Sequence, residues 1–393
     1  MKRFAALALA VLTTFGFVAA ANAQTAVAPL ITQDTNAVVR VDLSQIDGAQ
    51  LSQTTRKLTL AAIDYFVADE EQAEELQELA PLAGLFAAQY TELYVAPLKD
   101  AGVSELYVLV DKAADAENPA YPFIAIPIDA LSQEEVADVR DTLKTLNGQL
   151  DGALKYRFAR FGFMIVPIIP DTVDDADAKA YVKARFSKIA KADDAVFAQG
   201  FAKLGTGAVV SGVNLPVPPS AEEQQAALDS LSALDSAGLF GDMPQNAFAE
   251  MLKQSAQVAD LVQYNAWKID LDALEVVGIA ELKSAKDALK HAEAIDDMLD
   301  TLTTFYGQLA ATLAKEADLP QDKLDQTLDS LVAIVKAFTV DSKEQNGSTL
   351  TWTLDAKFFE DAKPLFDKLI ADFQALQPQE EPQEESTDDE FDF

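Results

Sequence analysis

No cysteine occurs in the 393 residues, and there is one histidine, His291. The first absence removes disulfide stapling, thiolate metal sites, a cysteine nucleophile and a cysteine for lipid attachment. The second removes histidine-rich zinc or iron centres. Ser-His-Asp catalysis would have to pass through His291, and there is no G-x-S-x-G elbow to present a serine. S-x-x-K, Walker A and H-E-x-x-H patterns are missing too. Gly205-x-Gly207 precedes a strand instead of opening a helix, so it reads as a turn and not a phosphate cradle. Basic residues are scarce, 30 against 64 acidic, for a formal net charge of −34. Such a charge repels nucleic acid and anionic lipid, and leaves cationic proteins, amine-bearing polymers or divalent cations as charged partners.

The one long apolar run lies at the start. Lys2 and Arg3 precede an uncharged stretch, Phe4 to Ala20, and Ala21-Asn22-Ala23 supplies small residues for cleavage before Gln24. This is the pattern of a secretory signal peptide, which predicts an exported chain beginning at Gln24. Losing Lys2 and Arg3 takes the net charge from −34 to −36. No later stretch reaches the length of a transmembrane helix. With 49% apolar residues in periodic segments, the chain has enough hydrophobic surface for a core.

Strands and helices alternate. Asn36–Leu43 reads as a strand, and Ser44 or Asp47 as the cap of a helix from Gln50 to about Val67. A second helix, Glu70–Tyr90, is apolar at Leu76, Leu79, Leu82 and Phe86. Glu105–Asp111 and Tyr121–Ile128 follow as strands. Pro122 and Pro127 cannot donate to a ladder and predict an edge or bulged strand. Ser132 to Glu135 is a capping box opening a helix to Leu146. A hairpin (Lys155–Arg160, Phe163–Ile169) and a helix (Val173–Ala190) complete the first half. The second half repeats the order: strand Ala208–Leu215, helices from Ala221 and Ala247, hairpin Val262–Asp270 with Leu274–Leu282, a long helix Ser284–Ala317 and another to Lys336. A hairpin about Asn346-Gly347 and a helix Phe358–Leu376 end it. Ala83-Gly84-Leu85-Phe86 recurs as Ala237-Gly238-Leu239-Phe240, and Ala37-Val38-Val39 as Ala208-Val209-Val210.

The expected fold class is therefore α+β, with antiparallel hairpins alternating with helices that cover one sheet face, in two tandem pseudo-repeats. The expected divisions are a signal peptide at 1–23, repeats at 24–192 and 193–376, and a tail at 377–393. That tail holds eight acids, two prolines and no base, a composition expected to be disordered.

Candidate chemistry rests on carboxylates. Asp270, Asp272 and Glu275 crowd a hairpin turn where oxygen ligands could gather on calcium, but the EF-hand glycine and terminal glutamate are missing. Turn and cap chemistry accounts equally for them and for Asp171, Asp174, Asp175 and Asp177. No catalytic or cofactor-binding residue can be nominated, and no cofactor is expected. The basic stretch Lys179–Lys191 reads as an amphipathic helix with Tyr181 and Phe186 toward the sheet. His291 falls on a polar stretch and reads as solvated, whereas Trp267 and Trp352 fall on strands and read as core.

Asp34 to Asp47 (D-T-N-A-V-V-R-V-D-L-S-Q-I-D), together with Phe123–Asp129 (F-I-A-I-P-I-D), resembles a group of exported bacterial proteins common in planctomycetes, to which no activity is assigned. The resemblance implies export and a helix–hairpin alternation, and carries no site residues. The function expected is a non-enzymatic binding or structural module of the periplasm or cell envelope. The alternatives are a carboxylate-dependent hydrolase of an extracellular polymer and an acidic calcium-binding surface protein.

Overall fold

The computed structural model describes residues 27–376 except 67–69, 113–119, 151, 153, 171, 188–194, 206, 237–244, 272, 318–319 and 338–342. The signal segment, the acidic tail, Asp171, Asp272, Lys188, Lys191 and the recurrence at Ala237–Phe240 lie outside those residues.

In the first half, β1 (Thr35–Asp42) leads into α1 (Gly48–Phe66) and α2 (Glu70–Tyr90). A π-helical turn (Thr91–Val95) and short α3 (Ala96–Asp100) precede β2 (Glu105–Asp111) and β3 (Phe123–Pro127). Then come α4 (Gln133–Gln149), β4 (Phe158–Arg160), β5 (Phe163–Pro167) and α5 (Asp175–Ser187), and α6 (Ala195–Leu204) follows just past residue 192, leading into the second half. The second half runs β6 (Val210–Asn214), α7 (Ala221–Ser236), α8 (Gln245–Leu261), β7 (Val262–Asp270) and β8 (Glu275–Leu282). It closes with α9 (Ala285–Ala317), α10 (Gln321–Lys336), β9 (Lys343–Asn346), β10 (Thr349–Leu354) and α11 (Ala356–Leu376).

The ten strands among the described residues join one antiparallel sheet in the order β4-β5-β3-β2-β1-β6-β7-β8-β10-β9. Counted outward from the β1–β6 seam, the first half reads β1, β2, β3, β5, β4 and the second β6, β7, β8, β10, β9. The two halves thus share a strand order within one sheet. The α+β class and the hairpin pairing expected from the sequence hold.

The pleat sends alternate residues into two cores. Phe123 and Ala125 of β3 join Val38, Tyr107, Leu109 and Val213 on one face, under Phe186 of α5 and Phe197 and Phe201 of α6. Ile126 of β3, with Met164 and Val166, meets Val139, Leu143 and Leu146 of α4 on the other. That second face also takes α9, where Ala288 packs with Ala280 and Leu350. The expectation that helices cover one face is therefore corrected: both faces are apolar and both are covered.

One further expectation changes. β3 pairs with β2 and β5 and so is an interior strand, not an edge. Its prolines are tolerated by position: Pro122 precedes the strand, its carbonyl accepting from Ile168 N–H at 2.8 Å, and Pro127 is its last residue. α6 lies directly after the expected division at 192/193. Gly200 lets α6 sit close to the sheet, since a Cβ there would fall 2.7 Å from the Val213 methyls.

Local signals act as their chemistry requires. Asp47, not Ser44, caps α1, its Oδ1 accepting from Gln50 N–H at 2.8 Å. The Ser132–Glu135 capping box forms with both of its hydrogen bonds. The last hairpin departs by one residue from the expected Asn346-Gly347 pair: Asn346 closes β9 opposite Thr349, and the turn is Gly347-Ser348 with Gly347 at φ +65°.

Candidate interaction surface

The hairpin of α1 and α2 packs through small residues. Ala80 is fully buried, and Gly84 lies so close to α1 that an added Cβ would sit 2.7 Å from the Ser52 carbonyl oxygen. Gly48 faces Thr91 with room to spare, since a Cβ there would lie 3.5 Å from its methyl, an ordinary contact. Ala80, Gly84 and Ala88 recur every four residues, so they form one stripe along α2 and bring the two backbones together.

This arrangement turns the bulky residues outward. Leu79, Leu82, Leu85, Phe86, Tyr90 and Leu93 are all exposed, Phe86 by 65% and Leu79 by 53%. At 100° per residue they share a face roughly opposite the small-residue stripe. The face expected from Leu76, Leu79, Leu82 and Phe86 exists as a pattern, but only Leu76 is partly buried. Close approach by Ala80 and Gly84 is incompatible with large side chains on the same side, and this excludes the leucines. The π-helical turn that follows continues the surface: Tyr94 lies against Tyr90, ring centroids 4.4 Å apart. Burial and the neighbouring Tyr94 raise the pKa of Tyr90. Six such side chains, each about half exposed, offer on the order of 1 kcal/mol apiece to whatever covers them. A contiguous apolar face with a polar rim is the usual mark of an interaction site.

The carboxylate candidates do other work. Asp270 Oδ1 accepts from Ala273 N–H at 2.9 Å, and Asp270 pairs with Glu275 where β7 turns into β8. Leu274, at φ +53°, makes that turn. Asp272 lies outside the described residues, among which no group of three or more His, Asp or Glu is placed to hold a metal ion. Asp174 caps α5 through Ala176 and Asp177 N–H, and Asp175 accepts from Lys155 and Tyr156 at 2.6 Å each. The hydrogen bond from Lys155, then that from Tyr156, hold Asp175 below the usual carboxylate range.

His291 is corrected from solvated to buried, 6% exposed, on the inner face of α9 with Ala288, Ala294 and Ile295. Helical periodicity decides this: positions 288, 291, 295 and 299 face inward although the local sequence is polar. Trp267 is buried and Trp352 partly so, as core residues.

Three polar clusters were invisible in the sequence because their members are far apart along the chain. Arg185, within the basic stretch Lys179–Lys191, is buried. Its Nε meets Asp111 Oδ2 at 2.7 Å, and Nη2 donates to Asp111 Oδ1 at 3.1 Å. Arg40 donates through Nε to Glu105 Oε2 at 2.6 Å, and Tyr107 donates to Glu105 Oε1 at 2.9 Å. Burial, then the Glu105 charge, raises the Tyr107 pKa. Ser330 donates to Asp372 at 2.6 Å and accepts from Lys368 at 2.5 Å. A serine touching a lysine suggests nucleophile chemistry, but this one is 3% exposed and pinned between α10 and α11. These clusters fasten elements together.

The molecule is thus an α+β protein whose most distinctive surface is an uncovered apolar helix face. No family model, curated protein or solved structure matches the chain. Among the described residues, no helix is long and apolar enough to cross a membrane.

Proposed function

We propose that this is an exported, non-enzymatic binding module of the periplasm or cell envelope that works through the exposed face of α2. The carrying observation is the outward display of Leu79, Leu82, Leu85, Phe86, Tyr90 and Leu93 by a helix whose small residues are used for packing. Export is supported by the signal-peptide pattern ending at Ala21-Asn22-Ala23, and the absence of a catalytic motif supports binding over turnover. The shared strand order of the two halves supports reading 24–192 and 193–376 as an internal duplication.

The test is site-specific photocrosslinking in the producing cell. A photoreactive phenylalanine analogue at position 86 or 90 should give an adduct of defined mass in the envelope or periplasmic fraction. The same analogue at Leu289, exposed on α9, should give none. Equal crosslinking from all three positions, or adducts confined to the cytoplasm, would refute the reading.

A further inference from the structure

The helices form a layer in which α7, α8, α9, α10, α11, α1 and α2 follow one another as packed neighbours. α2 stands at one end and packs chiefly on α1 and its own π-helical continuation. Its topological counterpart in the second half is α8, the second helix between the first and second strands of that half. That helix carries another along it: α9 packs on α8, with Phe248 and Phe305 rings 6.3 Å apart and Gln254 donating to Thr301 at 3.0 Å. α9 is able to reach because it runs for 33 residues. Its counterpart in the first half, α4, has 17 and packs on the sheet and α3. The second half thus lays a long helix along α8, whereas in the first half the outer face of α2 stays exposed among the described residues.

Charge narrows what the missing helix is. α2 contains five glutamates and no basic residue, and Glu74, Glu78 and Glu92 stand exposed about its apolar face. Helices that lie on membranes are basic on their polar side, and an acidic one is repelled by anionic headgroups. A second copy would bring two such helices together on bodies that each carry a net −34. A basic amphipathic helix meets neither obstacle, since its apolar stripe fits the leucines and its cations face the glutamates.

We propose that the exposed face of α2 docks an amphipathic, basic helix from another protein, in the place that α9 fills against α8. This rests on the binding-module reading and specifies its partner. The experiment uses residues 24–393 and three labelled 18-residue probes read by fluorescence anisotropy at physiological salt. One is a Leu/Lys peptide of helical periodicity, the second a scramble of it with no apolar face, and the third a Leu/Glu peptide of the first pattern. The first should bind at least about tenfold more tightly than the second, and the third should not bind. Phe86→Asp and Leu82→Glu should each weaken the first probe about tenfold, as loss of an interface anchor does, although both variants make the protein more acidic. Leu289→Asp should change nothing. Equal binding of the scramble, or undiminished binding by Phe86→Asp, would overturn the proposal by reducing the attraction to net charge. Phe86-dependent binding to phosphatidylglycerol vesicles, or Phe86-dependent dimerisation in sedimentation equilibrium, would overturn the choice of partner while keeping the surface. Indifference to Phe86→Asp in every readout would remove the binding-module reading as well.

Discussion

At Arg185 a guanidinium has been taken out of water and lodged against Asp111, with side-chain exposures of 4% and 8%. Thr35 closes the group by donating to Asp111 at 3.0 Å, and the Phe123 ring lies 5.1 Å from the guanidinium carbon. Desolvating both charges is costly, so the pair is weak evidence of net stabilisation, but removing one partner strands the other. Arg185→Met should cost about 3–5 kcal/mol in urea unfolding. The double variant Arg185→Met/Asp111→Leu should recover most of that loss. A double variant as unstable as the sum of its parts would contradict this account. Tyr264 is the opposite case, a fully buried phenol whose hydroxyl finds no partner among the described residues. Burial, then the Glu281 charge, pushes its pKa up to about 12. A folded-state pKa above the ordinary value of about 10 contributes stability that is complete below pH 10 and is lost as pH rises toward 12. Tyr264→Phe should thus be neutral or stabilising at pH 8, where it removes an unpaired polar atom. It should also soften the alkaline decline between pH 10 and 12 by on the order of 2 kcal/mol. Urea midpoints at pH 8 and pH 11 for both proteins check it, and parallel pH profiles would refute it.

Among the elements, the strands of the second half solve a packing problem with glycine. Gly212, Trp267, Gly278 and Trp352 occupy one row across β6, β7, β8 and β10. An added Cβ at Gly278 would fall 2.1 Å from the Trp352 ring, and one at Gly212 would fall 3.0 Å from Trp267. Each indole is therefore laid across the neighbouring strand at its glycine. Gly278→Ala should cost about 1–3 kcal/mol in thermal or urea unfolding, as overpacking does. The cost should largely vanish when Trp352 is Val. A Gly278→Ala protein as stable as the parent would show that the indole moves away freely. The row also marks the limit of what was legible beforehand. Hairpins, the Ser132 cap and, to within one residue, the turn at Gly347 depend on neighbours in sequence, and the chain states them openly. Burial depends on what lies across the fold. The prolines of β3 suggest an edge strand along the sequence, and only the pairing with β2 and β5 shows that they stand at its ends. The apolar stripe of α2 was visible as periodicity, but its direction was not, because Ala80 and Gly84 packing on Ser52 decides which side faces inward. His291 has polar neighbours along the chain, yet it shares the buried face of α9 with Ala288, Ala294 and Ile295. The partners of Arg185 are 74 and 150 residues away, beyond any local pattern.

For the whole molecule the decisive junction is the seam between β1 and β6. Five residue pairs, Ala37 with Asn214 through Val41 with Val210, join the halves. The ladder is extended by Asp42 N–H to the Val209 carbonyl and by Leu215 N–H to the Asn36 carbonyl, each at 2.8 Å. The same seam is crossed by a core in which Val38, Tyr107 and Leu109 meet Val213 and Ala266. α11 of the second half also packs on α1 of the first. A single sheet made this way has its ends at β4 and β9 and no edge in the middle. Residues 24–192 alone would end at β1, exposing its backbone groups and the buried Val38 as an edge ready to pair with another chain. Despite their equivalent strand order, the halves are then expected to unfold together. The intact protein should show one transition by circular dichroism and tryptophan fluorescence, although both tryptophans lie in the second half. Residues 24–192 expressed alone should associate or lack a cooperative melt, and mixing with residues 193–376 should restore one. A monomeric 24–192 fragment that melts cooperatively would mean that the seam joins two finished domains instead of completing one sheet.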